Sequence, residues 1–180
     1  VTIASTGDAQ DFGDMTDTRA AHAALSNQTR GVFTFGSTPV ANTLEYITIA
    51  TTGNSVDFAD ATDGGRKNLF SCASTTRGLF ASGKTPNGFT NIIEQVTIAT
   101  QGNATDFGGD TTNAFNYTAG AASPTRGVIA GGVNDTPSSD TYYNVIQKVE
   151  ILSSGNAVDF GDLIATINAA AAASTGHGGL

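Results

Sequence analysis

Residues 96–108 read Val-Thr-Ile-Ala-Thr-Gln-Gly-Asn-Ala-Thr-Asp-Phe-Gly, and variants of this stretch occur four times along the chain. The others are VTIASTGDAQDFG from Val1, ITIATTGNSVDFA from Ile47 and VEILSSGNAVDFG from Val149, giving starts 46, 49 and 53 residues apart. A second block follows each of them: NQTRGVFTFG from Asn27, STTRGLFASG from Ser74, SPTRGVIAGG from Ser123 and a shortened ASTGHGGL from Ala173. Self-similarity at a fixed period of this size marks a repeat architecture.

Each unit reads as short β-strands. Val1 and Ile3, Ile47 and Ile49, Val96 and Ile98, and Val149 and Ile151 alternate with small or β-branched polar residues, the period-two mark of a half-buried strand. Gly7-Asp8, Gly53-Asn54, Gly102-Asn103 and Gly155-Asn156 then predict two-residue hairpin turns. Outgoing strands follow, ending at Asp11-Phe12, Asp57-Phe58, Asp106-Phe107 and Asp159-Phe160. Small residues dominate the next segment (20–24, 70–74, 118–122 and 169–173), as a strand crowded against its neighbours requires. A fourth strand is expected at 31–35, 78–81 and 127–130. The loops after it (37–42, 84–91 and 133–142) hold nearly all the difference in repeat length. Four strands per unit at this period predict an all-β fold of four-stranded antiparallel blades, a β-propeller. Units start near residues 1, 47, 96 and 149 of a single repeat domain spanning 1–180. It is expected to hold three complete blades, roughly Arg19–Thr62, Arg66–Thr111 and Asn113–Leu163, plus two partial ones. The chain starts at Val1 without an initiator Met, and an excerpt of a longer chain or completion between subunits of a homo-oligomer is expected.

Eight Lys and Arg against sixteen Asp and Glu leave a net charge of −8, which argues against a nucleic-acid or anionic-membrane surface. No apolar run approaches the roughly 18 residues a spanning helix needs, and the N-terminus lacks the basic and apolar regions of a signal peptide. The single cysteine, Cys72, sits in an apolar stretch and reads as a small buried side chain.

Arg19-Ala-Ala-His22-Ala, Gly131-Gly132 and Asn42-Thr-Leu-Glu-Tyr46 resemble the kelch class of β-propeller blade. The kelch tryptophan is absent, and Phe12, Phe58, Phe107 and Phe160 stand as the expected core aromatics instead. Phrases such as ITIATTGN and VDFAD resemble a divergent kelch-like repeat of structural proteins in tailed-bacteriophage virions. The resemblance implies a tail-fibre or other surface module of an extracellular particle, with other virion proteins as partners and host recognition as its role. The alternative is a cellular kelch-type propeller that binds protein or glycan without catalysis.

The recurrent polar residues read as architectural. Asp11 and Asp14, Asp57 and Asp60, Asp106 and Asp110, and Asp159 and Asp162 are spaced to hold turns, the first of each pair accepting backbone N–H bonds. Ca²⁺ at these turns is the minor alternative; otherwise no cofactor is expected. Arg30, Arg77 and Arg126, with His177 at the matching place, are expected to pair with the repeating Asp. No Ser-His-Asp or His-metal spacing joins His22 and His177, so no enzyme is predicted. Recognition is expected in the unequal loops, at Thr85, Asn87, Phe89, Asn134, Asp135, Tyr142 and Tyr143.

Overall fold

The computed structural model describes residues 6–37 and 41–172. The chain is all-β, with three four-stranded antiparallel sheets and two small hairpins among the described residues. Sheet one is β1 (Ala24–Ser26), β2 (Arg30–Phe33), β3 (Thr43–Thr48) and β4 (Val56–Asp60), each strand paired with the next. Sheet two is β5 (Phe70–Ala73), β6 (Arg77–Ala81), β9 (Ile92–Thr97) and β10 (Thr105–Asp110), with the hairpin β7 (Lys84–Thr85) and β8 (Gly88–Phe89) between its middle strands. Sheet three is β11 (Ala119–Ala122), β12 (Arg126–Ala130), β15 (Val145–Glu150) and β16 (Val158–Asp162), with the hairpin β13 (Val133–Thr136) and β14 (Ser139–Tyr142) similarly placed. The first strands of successive sheets lie against one another, β1 beside β5 and β5 beside β11.

The core lies between sheets. One cluster joins Phe58, Leu25 and Val32 of sheet one to Phe80, Val96, Ile98 and Ala104 of the sheet-two unit. The next joins Phe70, Cys72, Leu79 and Phe107 to Ile129, Val149, Ile151 and Ala157 of the sheet-three unit. Burial between units, rather than within them, is the reason single repeats of this kind are not stable alone.

The glycine of Thr-Arg-Gly makes this approach possible. A Cβ on Gly78 would lie 2.5 Å from a methyl of Leu25, and one on Gly127 would lie 2.6 Å from the Cys72 sulfur. Each glycine leaves room for a side chain of the preceding sheet's first strand. Cys72 is buried there, and burial pushes its thiol up to about 12, so it is neutral and packs as a small apolar group.

A second device ties the units together at the turn before each first strand. Ala21, Asn68, Tyr117 and Ala169 all take positive φ, between 51° and 57°. Their backbones form a chain of bonds from unit to unit: Asn68 N–H donates to the Ala21 carbonyl, Tyr117 to Asn68 and Ala169 to Tyr117, at 2.9–3.1 Å. The left-handed conformation costs a non-glycine residue roughly 1 kcal/mol, and these bonds hold it in place.

Three local expectations are corrected. The Gly-Asn pairs do not make two-residue turns: β3 ends at Thr48 and β4 starts at Val56, and the corresponding gaps in the other sheets are as long. The first strand of sheet one starts at Ala24 rather than Ala20, and 169–172 form no strand; residues 173–180, including His177, lie outside the described residues. Phe58 and Phe107 are core residues, but Phe12 and Phe160 are exposed: Phe12 lies before the first sheet, and among the described residues no sheet follows Phe160.

Candidate functional site

Position by position, the units share a buried polar clamp that the motif spacing did not reveal. Glu45, Glu94 and Gln147 lie opposite Asp57, Asp106 and Asp159 in their sheets, and all three are fully buried. Glu94 accepts the backbone N–H of Thr62 at 2.7 Å and also the Thr62 hydroxyl. Glu45 does the same for Thr16, and Gln147 Oε1 accepts Thr112 N–H at 2.8 Å. Each acceptor thus grips the segment arriving from the preceding unit. Arg19 and Arg66 complete the clamp. Arg66 pairs with Glu94 and Asp63 and donates to the carbonyls of Ser82 and Ile92, while Arg19 pairs with Glu45 and donates to the carbonyl of Thr43 at 2.7 Å. In the third unit the residue two before the positive-φ position is Phe115, and Gln147 stands in place of the acid. Cation and anion are lost together, so no lone charge is left buried.

Burial pushes the Glu45 carboxyl up, but hydrogen bonds from Ser55 and Thr16 and the Arg19 guanidinium together outweigh it and hold it below its ordinary 4.5. A depressed carboxylate contributes stability above the unfolded value that is lost as the pH falls through the folded one. Acid titration of unfolding free energy is therefore expected to show an excess loss below about pH 4.5 in the wild type relative to Glu45→Gln. Superimposable curves would refute this assignment.

The Thr-Arg-Gly arginines act between sheets, but not on the aspartates. Arg30 Nη1 donates to the Ile98 carbonyl of sheet two and Arg77 Nη1 to the Ile151 carbonyl of sheet three, each at 3.0 Å. Arg30 lies over the Tyr46 ring at 4.6 Å and Arg77 near Phe107 at 5.9 Å. Arg126 instead makes a half-exposed pair with Glu150 at 2.9 Å. The aspartates are engaged locally: Asp11, Asp106 and Asp159 accept the N–H two residues on, at 2.8–3.1 Å. Arg77→Ala is expected to cost about 1.5–3 kcal/mol, the range for a charge-assisted bond, and Arg126→Ala under about 1 kcal/mol, as for exposed pairs. Thermal denaturation of the two variants tests this, and equal losses would contradict it.

The Gly-Asn loops stitch the outer edge. Asn54 Oδ1 accepts the N–H of Asp14, Asn103 that of Asp60 and Asn156 that of Asp110, at 2.9–3.2 Å. The Asp14, Asp60 and Asp110 carbonyls accept in return from Ser55, Ala104 and Ala157, each at 2.9 Å. Among the described residues no group of three or more His, Cys, Asp or Glu side chains is placed to hold a metal ion.

The residues expected to recognise a ligand fall on the two hairpins, which meet through Lys84 and Asp135 at 3.4 Å. Thr85 Oγ1 donates to the Gly88 carbonyl and accepts from Asn87 N–H, and Thr136 clasps Ser139 in the same way. Thr85 therefore shapes its turn. Phe89 is half-buried with the Lys84 ammonium 4.8 Å from its ring, and Asn134 Nδ2 donates inward to the Ala114 carbonyl. Asp135 is held by Asn116 at 3.1 Å as well as by Lys84. Tyr143 is a wall of the core, its ring 5.9 Å from that of Phe115, and is not an exposed contact. Tyr142 does face solvent, its hydroxyl 3.3 Å from Asp140, whose charge, followed by that hydrogen bond and the charge of Asp135, pushes its phenol up. Asn87, Asp140 and Tyr142 thus form an exposed, acidic, hydroxyl-bearing rim on clasped hairpins. The rim offers a ring for stacking and several hydrogen-bonding groups, while its carboxylates repel anions.

Fold and site define an all-β repeat protein of four-stranded antiparallel sheets, welded by inter-sheet clamps and bearing hairpins on one edge. The sequence matches no protein-family model and no curated protein sequence.

Proposed function

We propose that this chain is a kelch-like β-propeller module of a bacteriophage virion, a tail-fibre or other surface protein, and that it contacts the host surface without catalysis. The observation that carries this reading is the contrast between inter-unit contacts that recur from sheet to sheet and hairpins of unequal length, with strands of 2 residues in one and 4 in the other. A constant scaffold presenting unequal, clasped loops is the arrangement used for recognition. The phrases ITIATTGN and VDFAD add the likeness to virion repeats. Neutral, hydroxyl-rich host glycans suit the Asn87, Asp140 and Tyr142 rim better than anionic ones, given the net charge of −8.

Two measurements test the reading. Mass fingerprinting of purified virus particles should contain peptides of this chain; their absence would end the virion assignment and leave a cellular binding propeller. A glycan array should then show binding that Tyr142→Ala and Asn87→Ala reduce about tenfold with unchanged circular dichroism. Binding indifferent to both would remove the hairpins as the contact.

A further inference from the structure

The asparagines in the turns of the three sheets are pinned by their side chains. Asn54, Asn103 and Asn156 accept a backbone N–H from the preceding unit, and Asn27 Oδ1 accepts the N–H groups of Thr29 and Arg30. Asn87 differs. It is exposed at the tip of the β7–β8 hairpin, and among the described residues its carboxamide has no hydrogen-bond partner.

The residue after it is Gly88, and this is the one Asn-Gly pair in the sequence. Gly88 has φ +130°, and a Cβ there would meet nothing within 4 Å, so the linking peptide lies in open space with no side chain shielding its nitrogen. Thr85 holds that peptide from both sides: its hydroxyl accepts Asn87 N–H at 3.1 Å and donates to the Gly88 carbonyl at 3.0 Å.

We infer that Asn87-Gly88 is a site of self-modification, at which the chain converts Asn87 to aspartate and isoaspartate at a rate set by the Thr85 clasp. The Gly88 backbone nitrogen loses its proton and bonds to Asn87 Cγ. The Cγ–Nδ2 bond breaks, and the amide nitrogen leaves with a proton as ammonia, closing a five-membered succinimide. Water then opens the ring. Addition at Cγ gives aspartate, and addition at the Asn87 backbone carbonyl gives isoaspartate, with the chain rerouted through the side chain. No oxidant or reductant is needed. The free carboxamide supplies the electrophile and the unshielded glycine nitrogen the nucleophile. Ring closure turns the peptide out of its hairpin geometry, so the two Thr85 bonds oppose it. The product has lost an amide donor and gained a negative charge at the hairpin tip, so fresh and aged chains present different rims. The chemistry goes beyond the virion reading and does not rest on it.

Peptide mapping of the folded 180-residue chain, aged in mildly alkaline buffer, tests the inference. The peptide containing Asn87 should gain the mass that replaces an amide NH2 by OH, with isoaspartate among its products, before any other asparagine converts. Conversion should quicken as the pH rises, because the nitrogen attacks after losing its proton. Thr85→Val keeps a β-branched residue but removes the clasp, and should speed conversion about two- to tenfold, the rate equivalent of a net hydrogen bond. Asn87→Gln should abolish the mass gain in that peptide, with an unchanged circular dichroism spectrum because the position is exposed. An Asn87 that stays intact while a pinned asparagine such as Asn103 converts would overturn the site. A Thr85→Val rate equal to or below that of the wild type would overturn the clasp as its control.

Discussion

Arg66→Phe should lower stability by about 3–5 kcal/mol, the cost of leaving one partner of a buried ion pair uncompensated. For a chain of this length that corresponds to a fall in melting temperature on the order of 10 °C. Both Arg66 and Glu94 are fully buried, and with the guanidinium gone Glu94 retains only Thr62 as a partner. Glu94→Gln should cost less, because Arg66 keeps Asp63 at 3.1 Å and the amide oxygen can still accept Thr62 N–H. Combining the two substitutions reproduces the chemistry of Phe115 and Gln147 in the third unit. The double variant should be more stable than Arg66→Phe alone, since no buried charge remains unpaired. It should not fully reach the wild type, because Phe115 packs on Tyr143 and the residue at the matching place beside position 66 is Thr90. A double-mutant cycle by chemical denaturation measures the coupling directly. Additive losses would show that the clamp is not a unit.

Phe107→Ala is the second large effect, expected at about 3–5 kcal/mol from lost burial and the cavity left between sheets two and three. Phe160→Ala, the same substitution at the same place in the next unit, should change stability by under about 0.5 kcal/mol in dilute solution. Equivalent phenylalanines in closely similar Asp-Phe-Gly contexts would then differ severalfold. The difference comes only from whether a following sheet is present. Comparable losses for the two would mean that the phenylalanine is stabilised within its own sheet, against the packing described above.

Much of the sheet arrangement was legible in the chain. Alternation around Val96 and Ile98, the Thr-Arg-Gly strands and the small residues at 70–74 and 118–122 carry strand signals, because the side chains of a strand alternate and neighbouring strands restrict size. The length of the Gly-Asn loops was not legible. Glycine and asparagine favour turns in general, and only the approach of Asp14, Asp60 and Asp110 shows that these loops reach sideways to another sheet. The Arg-Glu clamp left a faint trace. Arg19 and Arg66 accompany Glu45 and Glu94, while Phe115 accompanies Gln147, and this joint replacement is the pattern a buried pair leaves when its charges must come and go together. Of the residues expected to bind, Tyr142 ends β14 and faces solvent, whereas Tyr143, just beyond the strand, packs partly buried against the core beside Phe115, so Tyr142 is the better contact candidate.

The sequence by itself determined the period, the all-β class, most strands of the three sheets and the sign of the net charge. Each of these depends on residue type and local spacing alone. Tertiary structure decided which phenylalanine is buried, which arginine finds a carbonyl or a carboxylate, and why the Thr-Arg-Gly glycine is needed, since Leu25 and Cys72 come to it from another sheet. The physical reason is that these units bury their apolar and polar cores against one another. A residue's role therefore depends on the unit next to it, which no stretch of local sequence contains.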